Sequence, residues 1–271
     1  MRLQKSSLLV ALLLAYILIS LAVTFFLASN PYAPKSRGLI YGSTQLPDML
    51  AIDHIPTRKD TFIQLLQPLI NDKNNALLAV RENLHIIEQR LATQSKLSRA
   101  DRVVVERLAK RYGLDATVDN PTALVAELLV RIDLLPPSMV LAQAAAESGW
   151  GTSRFAREGR NLFGHWCYTK GCGLVPKQRA PGAQHEVRSF ASLEQAINAY
   201  YHNINSHRAY REVRQRRAEL RAGKKQISSQ QLVRELGHYS SRGQAYVDEL
   251  LALINYNQLE KFDQPIITAT L

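Results

Sequence analysis

The chain has 271 residues, of which 46% are hydrophobic and 21% charged, and only two are cysteines. That excludes both a wholly disordered chain and a disulfide-dense mini-scaffold, and leaves room for one or two domains built on an apolar core. With 34 Lys and Arg against 23 Asp and Glu the net charge is +11, which favours an anionic partner: nucleic acid, a membrane surface or an acidic polymer.

From Leu8 to Ala28 no residue is charged, and only Ser20 and Thr24 interrupt the apolar run. At ~1.5 Å per residue such a helix spans about 31 Å, close to the hydrocarbon thickness of a bilayer. Arg2 and Lys5 precede it. The run is longer than a signal-peptide core, and Phe25-Phe26-Leu27-Ala28-Ser29-Asn30-Pro31 lacks a clean pair of small residues for cleavage. The expectation is an uncleaved transmembrane helix over 8–28, in the inner (cytoplasmic) membrane. Lys35 and Arg37 nearly balance the leading charges. The short flank of residues 1–7 is placed inside, because a large domain follows the span. The rest of the chain then lies on the periplasmic or outer side. Residues 29–59 carry Pro31, Pro34, Pro47 and Pro56 with Gly38 and Gly42, and read as an extended linker.

From Asp60 the pattern is helical. Phe62, Ile63, Leu65, Leu66, Leu69 and Ile70 form an apolar stripe that Leu77, Leu78, Val80, Leu84, Ile87 and Leu91 continue. Pro68 is expected to kink or break it. Further helices are predicted over Arg99–Arg111, Thr122–Ile132 and Ser138–Ser148, then Leu193–Asn205, Arg208–Arg221, Ser228–Leu236 and Gln244–Ile254. A β-hairpin is expected around 165–190. The predicted class is α+β: a mostly α-helical, lysozyme-like domain with one small β element. It divides into a helical extension over 60–135, a catalytic domain over 136–256 and a tail over 257–271.

The chemistry concentrates between Ser138 and Gly164. An Ala-rich stretch, Gln143-Ala144-Ala145-Ala146, ends in Glu147-Ser148-Gly149-Trp150-Gly151. Gly149 suits the left-handed position that closes a helix. Glu147 therefore falls in the last turn, where the helix dipole and apolar packing both disfavour its ionised form. A carboxyl kept protonated near neutral pH is what glycoside cleavage asks of a general acid. Trp150 offers a face for sugar stacking or for the core.

The run Gln143–Thr152, followed by Asn161-Leu162-Phe163-Gly164, resembles the glucosaminidase domain of peptidoglycan hydrolases. Cys167, Gly171-Cys172-Gly173 and Val175-Pro176 also resemble the Bax-type bacterial proteins that carry this domain. The resemblance covers roughly residues 136–256. It implies Glu147 as the catalytic acid. It implies a late tyrosine facing the developing oxocarbenium, matched by Tyr239 in Gly237-His238-Tyr239-Ser240 with one residue inserted. Tyr246 resembles the tyrosine that follows. Asn161 and Phe163 are expected to position the scaffold of the cleft, Asn161 by bonding to backbone, and Tyr246 to pack; with Trp150 these are the expected substrate-binding residues. Many relatives carry a second acid in the hairpin. The expected first strand, Gly173–Arg179, has none, so the candidate is Glu186, whose alternative is an ion pair with Arg188. Without a second carboxylate, water could be activated across a wide cleft, or the 2-acetamido group of the substrate could attack.

Cys167 and Cys172 flank a four-residue tip, where opposed positions lie within disulfide range. On the outer side of a membrane a disulfide is expected. A zinc cluster with His165 and His185 is the rival, on a spacing that is weak for zinc. No metal or cofactor is expected. Arg208, Arg211, Arg214, Arg216, Arg217, Arg221, Lys224 and Lys225 are read as a face toward membrane lipid or peptidoglycan carboxylates, or as a solvated helix face, rather than as a nucleic-acid site. The resulting reading is an endo-β-N-acetylglucosaminidase that cuts peptidoglycan after N-acetylglucosamine. The alternatives are a lytic transglycosylase and a low-activity peptidoglycan-binding scaffold.

Overall fold

The computed structural model describes residues 45–94, 96–116, 120–179 and 182–263. The expected span at 8–28, most of the linker and residues 264–271 lie outside these. Among the described residues no helix is long and apolar enough to cross a membrane.

Helix α1, Ile55–Gln94, runs unbroken through Pro68 and buries Phe62, Ile63, Leu66, Ile70, Leu77, Leu84, Ile87 and Leu91 of the predicted stripe, with Leu65, Leu69, Leu78 and Val80 half-buried. Pro68 removes the bond to the carbonyl of Gln64, an exposed residue whose carbonyl water can serve. Leu66 and Ile70, on either side, are fully buried and hold the helix in place. The linker ends earlier than expected. Met49 is fully buried and Leu46 packs against the core.

Helices α2 (Arg99–Arg111) and α3 (Pro121–Arg131) start where side chains satisfy their free amides. Ser98 accepts from Asp101 N, and Asn120 accepts from Ala123 N with Pro121 in the first turn. Helix α4, Pro137–Ser148, lies at the centre, with every residue from Pro137 to Ala145 buried. Its small side chains let α1, a short helix α8 (Ser229–Val233), helix α9 (Gln244–Tyr256) and a final 3-10 turn, Leu259–Phe262, pack around it. Helix α5, Arg154–Gly159, is short and was not evident from periodicity. Helices α6 (Leu193–Ser206) and α7 (Arg211–Ala222), joined by a 3-10 turn over Arg208–Tyr210, complete the body. The apolar core is continuous across residue 135.

Two polar clusters sit inside this core. Asn74 of α1 bonds both backbone groups of Leu135 and accepts from the Tyr201 hydroxyl, tying α1 to the segment that leads into α4 and to α6. Asp133 is ringed by Arg81, Arg217 and Arg221. Arg217 is fully buried and also donates to the carbonyls of Val130, Arg131, Asp133 and Leu134. This corrects the reading of α7 as an outward basic face. Arg214, Arg217 and Arg221 form its inner stripe and spend their charge on Asp133 and on backbone carbonyls.

The β element also differs from a hairpin. It is a three-stranded antiparallel sheet of β1 (Trp166–Cys167), β2 (Gly173–Leu174) and β3 (Glu186–Arg188), in the order β1-β3-β2. Trp166 faces Val187 and Cys167 faces Glu186 on one side; Gly173 faces Arg188 and Leu174 faces Val187 on the other. The strand expected over Gly173–Arg179 stops at Leu174, two residues before Pro176, which has no N–H to donate. Together these make a mostly helical α+β domain with the proportions expected of a lysozyme-like fold.

Candidate active site

Glu147 occupies the last turn of α4, and Gly149 closes the helix in the left-handed conformation with φ 58°. One of its oxygens, Oε1, accepts a 2.8 Å hydrogen bond from the Tyr246 hydroxyl of α9. That hydroxyl in turn accepts from Gln143 Nε2 at 3.1 Å, and Gln143 Oε1 accepts from the Tyr200 hydroxyl. Gln143 lies four residues before Glu147, so one face of α4 presents both side chains to the tyrosines. The other oxygen, Oε2, faces Gly164. A Cβ placed there would stand 3.2 Å from it, and Gly164 has φ +66°. The last residue of Asn-Leu-Phe-Gly is thus a glycine because backbone meets carboxylate there.

Burial pushes the Glu147 carboxyl above its ordinary value. The Tyr246 hydrogen bond and Arg242 work the other way, and Glu249 adds to the rise. Of the two causes expected from the sequence, burial is the one at work here.

Asn161 is buried and fully engaged. Its amide donates at 2.8 Å to the carbonyls of His165 and of Arg188, and its oxygen accepts from Phe163 N and His165 N. It fastens the Gly164 loop to β3. Phe163 is also buried and stacks on Tyr200 with centroids 4.2 Å apart. Both were expected to position the scaffold of the substrate cleft, Asn161 through bonds to backbone, and to belong to its binding residues. Their burial makes them supports of the loop that faces Glu147.

Tyr239 lies parallel to Tyr246 at 5.5 Å, and its hydroxyl donates to the carbonyl of Phe163 at 2.9 Å. The hydroxyl that meets Glu147 is that of Tyr246. Glu186 accepts from Gly171 N at 3.0 Å and from Gly173 N at 2.8 Å. These bonds hold its carboxyl below the usual range. It anchors the turn between β1 and β2, and its bonds are to amides rather than to Arg188.

The same turn is closed by a Cys167–Cys172 disulfide with Cα atoms 6.2 Å apart. The pairing was expected, but not its setting, since β1 and β2 flank β3 instead of pairing with each other. With both sulfurs in the disulfide, the zinc alternative through His165 and His185 loses its cysteine ligands.

Trp150 meets Phe62 edge-on at 5.7 Å and carries Lys59 Nζ 5.0 Å from its ring. It lines a hollow of about 520 Å³ between α1, α4 and α9. A groove of about 550 Å³ opens between the sheet and α6, with His165 among its lining residues. Trp166 in that groove was not singled out from the sequence. Nor were Gln143 and Gly164. For Gln143 a signal was present, a polar residue one helical turn before the acid in an otherwise apolar stretch.

This arrangement defines a helix-borne carboxyl of raised proton affinity, wedged between a tyrosine hydroxyl and a glycine backbone. The family model described as mannosyl-glycoprotein endo-beta-N-acetylglucosaminidase, the glucosaminidase domain, matches residues 123–259. A curated relative, Protein bax of Escherichia coli strain K12, is 35% identical over 216 residues, or 80% of this chain and 76% of that one. The chain belongs to the glucosaminidase family, among its Bax-type members. The catalytic domain of the autolysin Auto from Listeria monocytogenes is a solved structure similar at TM-score 0.42 and 18% identity, covering 79% of this chain and 93% of that one.

Proposed function

We propose that this protein is a peptidoglycan hydrolase of the endo-β-N-acetylglucosaminidase type. The observation that carries the reading is Glu147: a partly buried carboxyl of raised proton affinity, at the end of the helix that the family motif marks. In its protonated form it would donate to the glycosidic oxygen as the β-1,4 bond after N-acetylglucosamine breaks. Its conjugate base, hydrogen-bonded by Tyr246, is then stable enough to form. Tyr239 supports this geometry through Tyr246 and Phe163. Glu186 is committed to two amides, so a single carboxyl acts, and the 2-acetamido oxygen of the substrate is the natural partner for the developing cation. Water then completes hydrolysis and leaves a reducing N-acetylglucosamine end.

We further propose that residues 8–28 hold the protein in the inner membrane with the domain facing the wall. The test is digestion of purified peptidoglycan by the full-length protein, with mass spectrometry of the released fragments. Hydrolysis adds one water per cut and leaves N-acetylglucosamine at the reducing end. Anhydro-muramyl ends would instead make the protein a lytic transglycosylase, and no release would leave a binding scaffold.

A further inference from the structure

The groove between the sheet and α6 has features that general acid catalysis does not use. Trp166 remains 57% exposed although one face stacks on His185 at 4.1 Å. An exposed indole backed by a second ring is a rigid apolar surface with little conformational entropy to lose. Behind it the groove is lined by Arg188, Asn198, His202 and Asn203, and no acidic side chain is among its described lining residues. The Arg188 backbone is held at both ends, by N–H donation to the His165 carbonyl and by the bond from Asn161 to its own carbonyl. Its guanidinium rests over Phe190 at 5.1 Å and, among the described residues, has no ion pair. Two chains of contact link residues of the groove to the Glu147 site. Gly164, which faces Glu147, adjoins His165 in the groove wall. Asn203 is hydrogen-bonded to Tyr210, whose ring lies 5.8 Å from that of Tyr239.

We propose that this groove is the subsite for a carboxylate-bearing sugar of the glycan strand, with the Trp166 indole as platform for the ring and the Arg188 guanidinium as partner of the carboxylate. The choice of occupant follows from charge: a basic, acid-free groove with amide side chains suits an N-acetylated sugar carrying a negative substituent, the chemistry of N-acetylmuramic acid. A planar guanidinium matches a carboxylate through paired hydrogen bonds. The proposal rests on the hydrolase reading for its setting, but its binding test does not depend on turnover.

The experiment uses full-length protein carrying Glu147→Gln, titrated by calorimetry with two peptide-free probes. One is a tetrasaccharide alternating N-acetylglucosamine and N-acetylmuramic acid; the other is uncharged chitotetraose. The muramyl probe is expected to bind about tenfold or more tighter, a difference of about 1.4 kcal/mol. Adding Trp166→Ala weakens both probes by about tenfold. Adding Arg188→Gln removes the preference and leaves chitotetraose binding unchanged, and Arg188→Lys restores part of it. Thermal melts of each variant establish that it is folded. Equal binding of the two probes, unchanged binding after Trp166→Ala, or an Arg188→Gln loss shared by both probes overturns the subsite. Carboxylate-dependent binding without wall cleavage by the wild type would defeat the hydrolase reading alone. Cleavage unaffected by Trp166→Ala would defeat the subsite alone.

Discussion

The Tyr246 hydroxyl donates to Glu147 Oε1 at 2.8 Å across 99 positions of chain, from one core helix to another. This bond favours the ionised carboxylate, whereas burial favours the acid. The proposed general acid is therefore under two opposed effects. Replacing Tyr246 with Phe removes the one that lowers proton affinity. The alkaline limb of the pH–rate profile, where activity falls as Glu147 loses its proton, should move to higher pH. The maximal rate should fall as well, since the conjugate base loses its donor. A pH–rate profile on purified peptidoglycan reads both; a limb moved to lower pH would contradict the assignment.

Gly164 makes the second contact with the carboxyl. Gly164→Ala puts a side chain on a residue with φ +66° and a Cβ 3.2 Å from Glu147 Oε2. The backbone strain should cost about 1–2 kcal/mol. The displaced carboxyl should lower turnover by about tenfold to a hundredfold. Melting and turnover measured on the same preparation separate the two effects. A variant with wild-type turnover would mean that the Asn161–Gly164 loop does not set the position of the acid.

The Asp133 cluster predicts a pH dependence of stability far from the site. Burial pushes the Asp133 carboxyl up, but Arg217, the hydrogen-bonded Arg221 and Arg81 outweigh it and hold it below its ordinary value of 3.8. A depressed carboxyl contributes stability above its unfolded value and loses it as the pH falls through the folded one. Asp133→Asn leaves three arginines facing an uncharged group and should cost about 3–5 kcal/mol at neutral pH. The gap in melting temperature between wild type and variant should narrow as the pH is lowered below about 4. A gap independent of pH would mean that the aspartate acts by shape alone.

Local signals carried much of the fold. The helix over Arg99–Arg111 has the predicted bounds, and most of the stripe from Phe62 to Leu91 is buried as its spacing required. The place of Glu147 in the last turn of α4 was legible because an Ala-rich helix, a single acid and a helix-closing glycine occur together. What escaped depended on partners distant in sequence. Nothing near Arg214 and Arg217 announces that Asp133 and its flanking carbonyls turn them inward. Glu186 is paired with Cys167 in the sheet, and that pairing commits it to the amides of Gly171 and Gly173. The two tyrosines could be found by motif, but only tertiary packing decides that Tyr246 reaches the acid while Tyr239 bonds the Phe163 carbonyl.

The most direct measurement compares full-length wild type with Glu147→Gln on purified peptidoglycan, scored as new reducing ends per unit time. Glutamine keeps the shape and the place of the side chain but cannot release a proton to the leaving oxygen. The rate should fall by about a hundredfold or more, with the melting temperature retained. Equal rates in the two proteins would contradict Glu147 as the general acid.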